Sequence, residues 1–191
     1  MASYYETSDF RNGLKVEVEN VPFTVVYFQF VKPGKGTAFT RTKLKNLLTG
    51  AVIERTYRTG ETLAAADVEE HTMQYLYPSG TARVFMNTES FEQVEIEEAS
   101  IGEDSKFLME NMEVQVLFWR QKPINITLPT FIECKIVRTE PAVRGNTSGN
   151  VLKDALLDCG ATVGVPLFVN EGDTIRVDTR EGGSYKERVG K

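Results

Sequence analysis

Few side chains in this sequence could do bond-making chemistry, and their spacing restricts it further. There is one histidine, His71, in EEHTMQYLY, and there are two cysteines, Cys134 and Cys159. A Ser-His-Asp or Cys-His nucleophilic centre would have to use His71. That residue stands at the start of an expected strand and reads as a strand-end histidine. A zinc site built from one histidine and two distant cysteines is short of ligands. The cysteines could pair in principle, but here they are expected to be reduced, serving as small buried apolar residues. No catalytic residue, metal or cofactor is expected, and the chain is read as a non-enzyme.

One lysine stands out by its setting. In VKPGKGTAF, residues 31–39, Lys35 lies between Gly34 and Gly36, with Pro33 and Lys32 just before it. Proline fixes φ and lacks an N–H, so Pro33 belongs in a turn and not in mid-sheet. Gly34 and Gly36 accept positive φ and let the backbone approach a partner closely. FTVVYFQFV (23–31) and TAFTRTKLKNLL (37–48) flank the turn as the arms of a hairpin, with Lys35 at the apex. Nucleotide-loop readings fail on spacing: neither G-x-G-x-x-G nor G-x-x-x-x-G-K-[ST] is present, and a strand follows the glycines where those motifs need a helix. A Schiff-base lysine needs burial or cationic neighbours, and a glycine tip offers little burial. Two readings stay open on this motif alone: a flexible turn with a solubilising lysine, or a cationic probe.

Charge distribution favours the probe. Residues 31–58 hold Lys32, Lys35, Arg41, Lys43, Lys45, Arg55 and Arg58 against one acid, Glu54. That is a net +6 in a chain of −5, which leaves −11 elsewhere. The stretch 89–104 holds seven acids and no basic residue. A basic cluster confined to one hairpin of an acidic chain points to a polyanionic partner.

The elements that must carry this tip are strands. LKVEVEN, FIECKIVRT and TIRVDT alternate with period two, while 23–31 and VQVLFW (114–119) are β-branched and aromatic. Helical pattern is scarce. The best candidate is DSKFLMENM (104–112), capped by Asp104 or Ser105; FEQVEIEEASIG is weaker and reads alternatively as a strand and a turn. Boundaries are placed near 66, within the small acidic TGETLAAADVEEH (59–71), and near 130, after the proline-bearing KPINITLPT. The expected fold is all-β, with three small barrels over 1–66, 67–129 and 130–191, since units of this size have little core each. Each of the last two could be an OB-like barrel. No run approaches the ~18 apolar residues of a membrane span, and the polar N-terminus is no secretory signal. A cytoplasmic location and no membrane partner are expected.

At these residues the chain resembles bacterial translation elongation factor P and, more distantly, the hypusine-containing initiation factors of archaea and eukaryotes. SDFRNGLKVEVENVPFTV resembles the family's opening strands, and FVKPGKGTAFTRTKLKNLLTG its functional hairpin. YLYPSG and FMNTESFEQ resemble its middle domain, and KDALLDCGATVGVPLFVNEGDTIRVDT its C-terminal signature. The resemblance implies an SH3-like (KOW-like) first barrel with its hairpin at 31–37, then two OB folds, in an L shape like tRNA. It implies binding to the 70S ribosome beside the peptidyl-tRNA, as a monomer, and relief of stalling at consecutive prolines. Lys35 matches the lysine that reaches toward the CCA end, which an enzyme extends in many members. A lysine-modifying enzyme is thus a candidate partner. Lys32, Pro33, Gly34, Gly36 and Arg41 are the implied contacts with tRNA or ribosome. In the third domain the usual Gly-Asp-Thr loop reads Gly145-Asn146-Thr147, and Asn146 can still donate and accept hydrogen bonds near the exit-site codon. Asp154 follows Lys153 where proline is common, a local departure. The competing reading is a general RNA-binding multi-barrel protein, such as a ribosome-assembly or transcription factor.

Overall fold

The computed structural model describes residues 3–140 and 151–190. It is all-β, 58% strand and 8% helix, in three β-barrel-like domains. The first sheet contains β1 (Tyr4–Glu6), β2 (Lys15–Val18), β3 (Val21–Val31), β4 (Phe39–Asn46), β5 (Val52–Arg58) and β6 (Thr62–Ala65). Their order is β1-β6-β2-β3-β4-β5. Glu19 and Asn20 join β2 to β3 with φ of 52° and 64°, and Val18 pairs with Val21. Two left-handed residues make the hairpin turn whose twist matches that of the strands. Val16, Val25 and Leu44 are fully buried at the base of this sheet. Phe10 and Leu14 close over them, and the Tyr57 ring meets Phe10 edge-on at 5.8 Å.

The second sheet holds β7 (Val68–Ser79), β8 (Ala82–Asn87), β9 (Gln93–Glu97), β10 (Glu113–Trp119) and β11 (Lys122–Thr127), in the order β11-β10-β7-β8-β9. The α-helix expected over 104–112 does not form; the short helical turn falls instead in the weaker candidate, FEQVEIEEASIG. A single α-turn, α1 (Glu98–Ile101), runs into a 3-10 segment, Gly102–Phe107, and Leu108 is extended. Backbone pairing overrides the helical pattern. The Asn111 N–H donates to the Tyr75 carbonyl at 2.9 Å, and the Tyr75 N–H donates to Met112 at 2.8 Å. Phe107 and Leu108 are buried as the pattern requires, but from a turn and an extended residue.

The third sheet is β12 (Phe131–Thr139), β13 (Leu152–Leu157), β14 (Thr162–Pro166), β15 (Thr174–Asp178) and β16 (Ser184–Arg188), in the order β14-β13-β12-β15-β16. Alternate residues of β12 and β15, among them Ile132, Ile136, Ile175 and Val177, face the core.

Two compact units divide the chain: Met1–His71 with Val116–Asn125, and Thr72–Gln115 with Ile126–Lys191. Arg120 shows why 116–125 belongs with the first. Its guanidinium donates to Glu17 at 2.9 Å and to Asn20 at 2.7 Å. It also lies over the Trp119 ring at 4.7 Å, and its N–H reaches the Asp67 carbonyl at 3.1 Å. Within the second unit, the buried Phe107 ring rests on the backbone of Gly183. No helix among the described residues is long and apolar enough to cross a membrane.

Candidate nucleic-acid interface

The β3–β4 hairpin begins in the core and leaves it. Val25 pairs with Leu44, both fully buried. A bulge follows between Val25 and Tyr27, and from there Tyr27 pairs with Lys43, Gln29 with Arg41 and Val31 with Phe39. A bulge bends and twists its strand. Beyond it, Val26, Tyr27, Phe28 and Phe30 are 40%, 41%, 41% and 58% exposed. The arm therefore projects with apolar side chains in the open, where a continuous apolar run would otherwise imply a buried strand.

Strand alternation sorts the side chains onto two faces. Arg41, Lys43 and Lys45 fall on one face of β4, successive charges standing about 7 Å apart along the strand. Tyr27 shares that face from β3, with the Lys43 ammonium 5.9 Å from its ring centre. Arg58 joins from β5, paired with Phe39. The opposite face carries Phe28 and Phe30 beside Thr42 and Thr40, which are buried, and the Thr42 hydroxyl donates to the Arg55 carbonyl at 2.9 Å.

All seven basic residues of 31–58 are exposed. Arg41 is 3.5 Å from Glu54, and Arg55 is 2.8 Å from Glu19, which raises the pKa of Arg55 by hydrogen bond and charge. Lys32, Lys35, Lys45 and Arg58 make no side-chain ion pair or hydrogen bond among the described residues. Most of the positive charge is thus not spent internally and is open to an anionic partner.

At the tip, residues 32–38 connect the strands, and Thr59 ties the base by donating N–H and hydroxyl to the Ala38 carbonyl at 3.2 and 3.0 Å. Lys32, Gly34, Lys35 and Gly36 are exposed, and Pro33 is half-buried. Only Gly36 uses left-handed backbone, at φ 108°; a side chain at Gly34 would meet nothing within 4 Å. The expectation of positive φ at both glycines therefore holds at Gly36 alone. Gly145, Asn146 and Thr147 lie outside the described residues.

The other candidates fall elsewhere. His71, an interior residue of β7, has Glu69 at 3.2 Å and meets the Phe118 ring edge-on at 5.2 Å. Cys134, on β12, and Cys159, after β13, are free thiols with their sulfurs 3.8 Å apart. With Asp158 they place three donor atoms within 4.8 Å of one another, one short of a closed tetrahedral zinc set. Distance in sequence hides this pair. The available signal was Cys134 on the inward register of Ile132 and Ile136, facing an Asp-Cys-Gly turn.

Comparison with known proteins agrees with this architecture. Residues 6–63 match the elongation factor P KOW-like domain, 68–126 the elongation factor P OB domain, and 132–188 the elongation factor P C-terminal domain. Elongation factor P of Syntrophomonas wolfei is 50% identical over 182 residues, covering 95% of this chain and 98% of that protein. Elongation factor P 2 of Geobacter sulfurreducens is 44% identical over 185 residues, covering 97% and 98%. Among solved structures, eukaryotic translation initiation factor 5A from Methanococcus jannaschii superposes with a TM-score of 0.52 at 21% identity. That match covers 66% of this chain and 95% of that one, and it concerns the fold alone. With three domain families matched in order along its length, the chain belongs to the elongation factor P family of translation elongation factors.

Proposed function

We propose that this translation factor binds the ribosome beside the peptidyl-tRNA and speeds peptide-bond formation at consecutive prolines. Lys35 holds the CCA end in a reactive orientation. The observation that carries the reading is the hairpin itself: an exposed lysine on a narrow tip, backed by unpaired cations and open aromatic rings. Arginine and lysine meet phosphates, and aromatic rings offer stacking faces for bases. Lys32, Pro33, Gly34, Gly36 and Arg41 share the contact with RNA. Correct placement of reacting groups lowers a barrier without any acid or base from the protein, so the factor acts by positioning and is not an enzyme.

The three barrels span 1–66, 67–129 and 130–191 in this reading. Gly145, Asn146 and Thr147 contact the ribosome on the codon side. The exposed Lys35 is open to a lysine-modifying enzyme. The test is reconstituted translation with and without the protein. Yield should rise on a template with three consecutive prolines and stay unchanged on a proline-free template. RNA binding without that stimulation would leave a general RNA-binding protein in its place.

A further inference from the structure

The third barrel holds a thiol pair with geometry of its own. Ile136 of β12 pairs with Leu157 of β13, and the Asp158 N–H donates to the Lys135 carbonyl at 2.9 Å. Cys159 follows Asp158 in the turn between β13 and β14, and its sulfur comes beside that of Cys134. The two sulfurs already lie 3.8 Å from each other.

The two thiols differ in access. Cys134 is 1% exposed. Cys159 lines a cleft of about 360 Å³ together with Asp158, Met109 and Glu110, room enough for a small oxidant. They differ in acidity too. The hydrogen bond from the Cys134 thiol, with a second from the Ala161 backbone, lowers Cys159 to about 7. The same hydrogen bond and burial push Cys134 up. A thiolate in reach of solvent beside a buried partner thiol is the arrangement of a reactive and a resolving cysteine.

We propose that Cys159 and Cys134 form a hydroperoxide-reactive dithiol that closes to a disulfide within the folded third barrel. The Cys159 thiolate attacks the outer oxygen of a hydroperoxide, breaking the O–O bond. An S–OH bond forms on Cys159, and the alkoxide, or hydroxide from hydrogen peroxide, leaves and takes up a proton. The Cys134 sulfur then attacks the Cys159 sulfur. The S–S bond forms, the S–O bond breaks, and the departing hydroxide takes the Cys134 proton as water. Two thiols lose two electrons to one peroxide. The product ties β12 to the turn before β14 across a separation of 25 residues.

The test uses the full chain, reduced and then exposed to hydrogen peroxide at near-equimolar ratio without denaturant. The intact mass should fall by about 2 Da, and non-reducing peptide mapping should recover Cys134 joined to Cys159. Cys134→Ser should instead stop at a dimedone-trappable adduct on Cys159, a gain of about 16 Da before trapping. Cys159→Ser should leave Cys134 unoxidised. If Cys134→Ser fails to fold, Cys134→Ala answers the same question, and in the wild type alkylation should label Cys159 at least about tenfold faster than Cys134. Two thiols that stay free under peroxide, a cross-link that forms only in denaturant, or faster reaction at Cys134 would each overturn the proposal.

Discussion

Arg180 grips Asp178 with two nitrogens, Nε donating to Oδ1 at 2.9 Å and Nη2 to Oδ2 at 2.5 Å. The Arg180 backbone N–H adds a third bond to Oδ1 at 3.1 Å. These donors, the guanidinium first, hold the Asp178 carboxyl down at about 2. Because the folded pKa lies below the unfolded value of ~3.9, the pair stabilises the fold fully above that value. The contribution disappears as pH falls through about 2. Arg180→Gln removes the larger cause, so the Asp178 carboxyl resonance should titrate clearly higher than in the wild type. An unchanged midpoint would show that the backbone N–H alone sets the shift. Arg120 ties its own turn to the β2–β3 hairpin, as a donor to Glu17 of β2 and to Asn20. A double-mutant cycle of Arg120→Ala with Glu17→Gln should give a coupling of roughly 0.5–1 kcal/mol for this partly exposed pair. A coupling of zero would make the contact incidental.

Gly34 of the hairpin tip and Gly183, at the end of its turn, make opposite demands on glycine. A Cβ at Gly183 would come within 2.3 Å of the Phe107 ring tip, from backbone already at φ 88°. Phe107 is buried and cannot swing away without opening a gap, so Gly183→Ala should cost about 2–3 kcal/mol in thermal or denaturant unfolding. Gly34→Ala meets nothing and should melt within roughly 0.5 kcal/mol of wild type. Gly36→Ala forces alanine to φ 108° and should cost about 1 kcal/mol or more. If Gly34→Ala and Gly36→Ala melted alike, the tip backbone would not be the one described.

Much of this element scale is legible in the sequence. LKVEVEN and FIECKIVRT announce half-buried strands through period two, and proline with two glycines announces the tip. The 104–112 helix is not legible, because Phe107, Leu108 and Met112 satisfy a helical pattern while the backbone at 111–112 pairs with Tyr75. Nor is the exposure of Tyr27, Phe28 and Phe30, since an apolar run looks the same in a core strand and on a projecting arm. The cysteine pair escapes notice because contact across strands depends on register, and a bulge at Val137 shifts it.

At the scale of the whole molecule, charge is separated. The chain is net −5, yet 31–58 carries +6. In the acidic stretch part of the charge is spent locally, as where Glu98 takes Arg83 at 2.9 Å and the Ser105 hydroxyl at 3.1 Å. In the proposed function such polarity would draw the basic segment toward RNA and keep the acidic stretches from it. Replacing Arg41, Lys43 and Lys45 together with alanine should weaken tRNA binding and flatten its salt dependence, by up to about 2 in the slope of log K against log salt. An unchanged slope would place the contact elsewhere. If the proposed function holds, a change at Lys35 should separate attachment from function, because six other basic residues of the segment remain. Lys35→Arg keeps the charge but changes the reach and removes the amine that a modifying enzyme needs, so it should fail as Lys35→Ala does. The most direct measurement is the rate of synthesis through three consecutive prolines, with ribosome affinity and melting temperature taken on the same Lys35→Ala preparation. Melting should stay within roughly 0.5 kcal/mol of wild type, affinity should be largely kept, and the rate should drop about tenfold or more, to that seen without the factor. A Lys35→Ala protein that matched wild type on the proline template would reduce the tip to an ordinary solubilising turn.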